Sequence, residues 1–137
     1  MKKNSDNNTN SKKSNLSSSK ISNLKNRKDE AKLGGGDARQ EAQHSKGKKL
    51  ARERLSLLFD NGQFTEIDPF VKHNSSDFGL DKTRIDGDSV ICGYGNVHGQ
   101  QVFAFSQDFT VLGGSLSKVA SNKICKAFDL AIKTGCP

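Results

Sequence analysis

The sequence contains no CxxC pair. Its three cysteines, Cys92, Cys125 and Cys136, stand far apart, so their spacing supports neither a zinc site nor a disulfide framework. His44, His73 and His98 are equally scattered, with no HxxxH and no carboxylate at ligand spacing, and metal binding is not expected. Four aspartates, Asp77, Asp81, Asp86 and Asp88, share one stretch without the positional order of a calcium loop, and they read as loop solubility and turn formation. The nucleotide-cradling patterns GxGxxG and GxxxxGK[ST] are missing. No His is placed to form a relay with Ser106 and Asp108. No apolar run approaches the roughly 20 residues that span a bilayer, and the N-terminus lacks the apolar core of a secretion signal. These absences point to a soluble, intracellular protein with no membrane partner.

What is present begins with a polar leader. Residues 1–20 read MKKNSDNNTNSKKSNLSSSK, with Leu16 the one apolar side chain available for burial after Met1. Such a segment cannot offset its ordering entropy, so residues 1–19 are expected to be a disordered leader. Five lysines against one aspartate give it four of the chain's net charge of +7. A basic tail can bind phosphates, but lysines dispersed among Asn and Ser, without Arg or aromatic rings, read as a solvated leader, and no nucleic-acid partner is expected. The Ser- and Lys-rich start also has features of a transit peptide, against which stand Asp6 and the absence of Arg before Arg27.

From residue 19 the pattern turns helical, with Ile21, Leu24, Lys28, Ala31 and Lys32 at three- and four-residue steps until Gly34, Gly35 and Gly36 stop it. A second helix is expected over 37–45, with Asp37 as its N-cap. A third, over 49–59, sets Leu50, Ala51, Leu55, Leu58 and Phe59 on one side and leaves Arg52, Glu53 and Ser56 for solvent. Residues 64–71 suit an edge strand or an extended arm better than a central strand, because Pro69 cannot donate to a ladder, and 73–88 form a long polar loop. Segments 89–97 and 101–106 read as a hairpin turned at His98-Gly99, with Val90, Cys92 and Tyr94 on one face. A last helix is expected over 116–134, its stripe formed by Leu116, Val119, Ala120, Ala127, Leu130 and Ala131. Ser115 is its expected N-cap, Lys118 stands unfavourably at the capping-box position, and Gly135 and Pro137 close it.

A hairpin followed by a crossover helix is half of a unit that needs a further strand, so the sequence reads as cut after Pro137. Gly113-Gly114-Ser115 opens the last helix, which admits two readings: an anion site at exposed amides, or plain capping geometry. The basic cluster of Lys46, Lys48, Lys49, Arg52 and Arg54 suits CoA phosphates, nucleic acid or an acidic partner surface, with packing against another part of a larger protein as the modest default.

The run from Gly87 to Pro137, and SQDFTVLGGSLS within it most specifically, resembles the opening of the carboxyltransferase domain in the beta chains of propionyl-CoA carboxylases. Those chains are a branch of the biotin-dependent acyl-CoA carboxyltransferase family. Upstream, GGG, Arg39, Gln43-His44-Ser45-Lys46-Gly47-Lys48, ARERL and HNSSDFGLDK follow in that family's order, so the resemblance covers residues 20–137. Lys118 departs from it, since an acidic residue is common there.

The resemblance implies an α/β fold: an incomplete crotonase-like domain of ββα units over 61–137, preceded by N-terminal helices over 20–60. It implies transfer of a carboxyl group from carboxybiotin to an acyl-CoA, propionyl-CoA giving methylmalonyl-CoA. In that reaction the thioester α-carbon loses a proton, and the developing enolate needs fixed donors. The family supplies them from glycine-rich turns beyond TGCP and from a second domain. The chain is therefore expected to hold no catalytic residue and to be inactive alone. Gly113, Gly114 and Ser115 are expected on the CoA side, with Ser106, Gln107 and Asp108 shaping their loop. The implied partners are a CoA thioester, a biotin-carrying alpha subunit and homologous beta chains, with no biotin attached to this chain. The compartment would be the mitochondrial matrix in a eukaryote and the cytoplasm otherwise. The competing reading is a non-catalytic module whose helices at 20–60 dock on a full-length carboxylase subunit.

Overall fold

The computed structural model describes the backbone of residues 6–137 and the side chains of residues 18–137. Helix α1 runs Asp6–Lys32, α2 Asp37–His44 and α3 Ala51–Leu58. Strands β1 (Phe64–Ile67), β2 (Val90–Val97) and β3 (Gln100–Gln107) follow, and α4 (Lys118–Thr134) comes last. Part of the expected leader, residues 1–5, lies outside the described residues. From Asp6 the backbone is helical, whereas the sequence pattern starts the helix at residue 19. No Gly or Pro interrupts Asp6–Lys32, but nothing from residue 18 to 30 is buried, so among its described side chains α1 packs closely on the rest of the chain only near its C-terminal end. There Ala31 is buried, and the Arg27 guanidinium ion-pairs with Asp86 at 3.1 Å while lying 4.5 Å from the Phe70 ring centroid.

The three strands form one antiparallel sheet in the order β1-β2-β3. Their register pairs Ile67 with Cys92 and Cys92 with Phe105. The hairpin turn falls at His98-Gly99, where both residues take positive φ, 51° and 77°. That is the conformation a two-residue turn needs to match strand twist. Asp60 tightens this corner by accepting from both turn amides, at 3.0 and 2.9 Å, which hold its carboxyl below the usual range.

Helices cover both faces of β2. On one side Ile67, Val90 and Cys92 pack with Ala120 and Ala127 of α4, flanked by Tyr94, Phe103, Ile124 and Leu130. On the other, Ile91 meets Ala51, Leu55 and Phe59. Alternation along a strand sends successive side chains to opposite faces, so β2 contributes to two cores at once. Burying one such Ile is worth about 1.5–3 kcal/mol.

The structure moves two caps. Asp37 is the first residue of α2, and the cap position belongs to Gly36 at φ 91°, a conformation Asp would adopt only with strain. At α4 the N-cap is Ser117, whose hydroxyl accepts from Ala120 N at 3.0 Å. Ser115 and Leu116 precede the helix, and Lys118 becomes its first residue rather than a capping-box member. The helix end is as expected, with Gly135 at φ 66°.

Candidate functional site

The segment joining β3 to α4 is a tight, anchored loop. Asp108 is buried, and its Oδ1 accepts from the Thr110 amide at 2.9 Å and the Thr110 hydroxyl at 2.6 Å. The Gln107 side chain reaches forward to donate to Gly114 O at 3.2 Å. A 3-10 turn over Leu112–Gly114 then carries three successive positive φ values, 48°, 64° and 79°. Glycine takes two of these without steric cost, and Leu112 does not. The turn is held because the residues around it are fixed.

Those fixings come from the N-terminal helices and the turn between α1 and α2. The Gly35 amide donates to the Thr110 hydroxyl at 3.0 Å, Arg39 donates to Thr110 O at 3.2 Å, and Arg54 donates to Gln107 O while its guanidinium lies 5.6 Å from the Phe109 ring centroid. The glycine run that the sequence presents as a helix stop thus also provides a close contact. A Cβ on Gly34 would meet Asp108 Oδ2 at 2.7 Å.

Gly113, Gly114 and Ser115 do sit together on this loop. Gly113 and Ser115 are exposed and Gly114 is buried. The Gly114 and Ser115 amides already donate within the turn, to Val111 O at 2.8 Å and Leu112 O at 3.2 Å. The loop therefore offers an external ligand its exposed rim at Gly113 and Ser115 rather than these two N–H groups. Ser115 O itself accepts from the buried Ser89 hydroxyl at 2.6 Å. Ser106 is buried in the sheet.

Two buried charged groups lie behind the loop, and the sequence reading gave one, Asp88, to loop solubility and turn formation and left the other, Lys123, unassigned. Asp88, taken as a solvated loop residue, is buried at φ 53° and accepts from the Ser89 amide and the Ser117 hydroxyl. It thereby fixes the α4 N-cap. Lys123, with 1% of its side chain exposed, donates to Val90 O at 2.9 Å and Gly87 O at 3.3 Å and stands 3.9 Å from Glu66. Glu66 in turn takes a bidentate pair from Arg52 at 3.1–3.3 Å. Burial lowers the Lys123 pKa, opposed by the Glu66 charge. Burial also pushes the neighbouring Cys92 thiol up to about 11, a structural rather than a reactive cysteine. The helical period did signal Lys123: it lies three residues after Ala120 and four before Ala127, in the gap of the apolar stripe.

A second concave region opens beside α3. A cleft of about 560 Å³ is lined by His44, Gly47, Lys48, Lys49, Glu53, Ser56 and Leu57. Glu53 accepts from the Leu50 amide at 2.7 Å and from His44 Nε2 at 3.0 Å. The Leu50 bond, followed by the His44 bond, holds the Glu53 carboxyl below its ordinary range. Among the described residues, no group of three or more His, Cys, Asp or Glu side chains could hold a metal ion, and no helix is long and apolar enough to cross a membrane.

Comparison with known proteins agrees with this architecture. A family model described as the carboxyl transferase domain matches residues 42–137. The methylmalonyl-CoA decarboxylase subunit alpha of Propionigenium modestum is 51% identical over 122 residues, 89% of this chain and 24% of that protein. The mitochondrial propionyl-CoA carboxylase beta chain of Homo sapiens is 53% identical over 116 residues, 83% of this chain and 22% of that one. The transcarboxylase 12S hexamer, solved with methylmalonyl-coenzyme A and methylmalonic acid bound, superposes with a TM-score of 0.82 at 41% identity, covering 86% of this chain and 23% of that one. The chain thus spans about a quarter of the length of the curated relatives it matches, and its fold is the crotonase-like one of those structural neighbours.

Proposed function

Because the chain belongs to the carboxyl transferase domain family, we propose that it forms the N-terminal, CoA-facing wall of a biotin-dependent acyl-CoA carboxyltransferase, one that acts on propionyl-CoA and yields methylmalonyl-CoA. The anchored loop from Ser106 to Ser117 carries this reading. Its left-handed run at Leu112–Gly114 is built at the cost of strain at a leucine, and three groups, Gly35 from the turn after α1, Arg39 from α2 and Arg54 from α3, hold it in place. Strained backbone kept by its surroundings is characteristic of ligand clamps.

In this reading Gly113 and Ser115 meet the CoA thioester at the loop rim, the buried Gly114 lets the backbone turn, and Ser106, Gln107 and Asp108 shape the loop from below. Carboxybiotin, carried on an alpha subunit, supplies the carboxyl group. This chain's residues orient the thioester, and the Gly114 and Ser115 amides, spent within their turn, are not the donors that stabilise the enolate. Homologous beta chains are the other partners, in the soluble compartment where the complete enzyme works.

A chimera tests this. Replacing the matched stretch of the human beta chain with residues 21–137 of this sequence should preserve methylmalonyl-CoA formation from propionyl-CoA. A soluble, assembled chimera with no activity would refute it. An assembly module is the second reading, favoured by Ile21, Leu24, Leu57 and Leu58, all exposed on the N-terminal helices. It predicts that the isolated chain associates with a full-length subunit without altering turnover.

A further inference from the structure

Gly87, Asp88, Ser89 and Val90 lead the chain into β2 and form a buried corner. Three of its polar contacts land on the Ser106–Ser117 loop. The Ser89 carbonyl accepts from the Asp108 amide at 2.8 Å, the Ser89 hydroxyl donates to Ser115 O at 2.6 Å, and the Asp88 carboxylate accepts from the Ser117 hydroxyl. The corner is thus bonded to the start, the rim and the end of the loop. From α4 the Lys123 ammonium donates to Gly87 O at 3.3 Å and Val90 O at 2.9 Å, bracketing the two residues that reach the loop. Resting on the reading of that loop as the rim that meets the thioester, we propose that Lys123 and Ser89 are positioning residues for the acyl-CoA: Lys123 fixes the corner, and Ser89 transmits its position to the rim, neither touching the ligand.

Two features separate this role from plain stabilisation. Lys123 occupies the apolar stripe of α4 between the buried Ala120 and Ala127, with 1% of its side chain exposed. An apolar side chain of similar volume would avoid the cost of burying an ammonium, and such replacements are often neutral or stabilising. Packing alone therefore gives no reason for a lysine, whereas two carbonyls on either side of Asp88-Ser89 do. Asp88 itself is held at φ 53°, a left-handed conformation that a non-glycine residue keeps only where its surroundings over-determine it. The support also extends across the fold. Glu66, 3.9 Å from the Lys123 ammonium, pairs with Arg52 of α3, and Arg54 of the same helix donates to Gln107 O in the loop.

The chimera described above, assembled with the biotin-carrying subunit, provides the test, with Lys123→Met, Ser89→Ala and the double variant compared against it. Lys123→Met should fold, because methionine fills similar space and Glu66 keeps its Arg52 pair. Loosening the rim should raise KM for propionyl-CoA about fivefold in each single variant, while kcat per assembled enzyme stays within about twofold. A purely structural role would lower the yield of assembled enzyme and leave KM unchanged. Because both side chains act through one corner, the double variant should show the same rise as either single one rather than their product. Hydrogen exchange, read by mass spectrometry on the peptide spanning residues 106–117, should accelerate in all three. Unchanged KM and exchange in an active Ser89→Ala chimera would overturn the proposal and leave the thioester reading standing, even if Lys123→Met failed to assemble. Rises that multiply in the double variant would also overturn it, since the two residues would then act separately. An assembled but inactive unsubstituted chimera would bring down the thioester reading and the proposal with it.

Discussion

Gly35 lies so close to Thr110 that a Cβ on the glycine would stand 1.9 Å from the Thr110 carbonyl oxygen. No flexible side-chain end is available to yield there, because the colliding atom is backbone. Gly35→Ala must therefore push the loop away from the N-terminal helices and break the bond from the Gly35 amide to the Thr110 hydroxyl. A loss of roughly 1–3 kcal/mol is expected, read as a lower urea midpoint with little change in slope. A wild-type midpoint would show that the loop is not held from this side.

The two serines before α4 should behave differently. Ser117→Ala removes the N-cap acceptor and leaves the buried Asp88 carboxylate without its hydroxyl donor, so the cost should be about 2 kcal/mol. Ser115→Ala deletes an exposed hydroxyl while its carbonyl keeps the bond from Ser89, and thermal unfolding should be nearly unchanged. Equal effects from the two substitutions would contradict the position of the cap.

Cys92 sets an alkaline limit. Its thiol is pushed up to about 11 by burial, against an ordinary value of 9.0. Between those values the native state holds a proton that the unfolded state has released, so stability falls as pH rises through that window. Lys123 works in the opposite sense: its lowered value means the unfolded state holds more protons below 10.5, and stability gains as pH rises toward that point. Comparing Cys92→Ala with wild type isolates the thiol. The variant should be less stable at pH 8 because of its cavity, and the gap should narrow by pH 11. A gap that stays constant would rule out thiolate formation as the cause.

Glu53 sets an acid limit with the reverse sign. Its carboxyl titrates below its ordinary 4.5, first through the Leu50 amide and then through His44. The stability it adds is present above 4.5 and is lost as pH falls through the native value. Glu53→Gln keeps a side-chain acceptor for the Leu50 amide and removes the charge. Its melting temperature should lie below wild type at pH 6, the gap should close as pH falls progressively below 4.5, and parallel curves would speak against a charge effect.

Much of this arrangement was legible in the sequence. The hairpin at His98-Gly99 followed from a turn dipeptide between apolar runs, the edge position of β1 from Pro69, and the α4 stripe from its period. The loop with Gly113, Gly114 and Ser115 was legible as a motif, but its fastening was not. Arg39, Arg54 and Gly35 reach it from more than fifty residues away, and no local pattern encodes such a contact. Arg52 and Lys123 were harder still, since charge assigns a residue to solvent unless a partner such as Glu66 or a set of carbonyls is known to wait inside. Ser115 drew the cap because it follows two glycines, whereas the deciding group was Asp88, which orients Ser117 from across the fold.

Ile91 and Cys92 are adjacent in β2 and face opposite cores, which limits how this region can diverge among relatives. A bulkier residue at Leu55 cannot be balanced by a smaller one at Ala127, because the strand between them turns each change to its own side. Compensating substitutions should pair within one face, Leu55 with Ile91 or Ala127 with Cys92, and the two helices should drift independently while β2 itself scarcely varies.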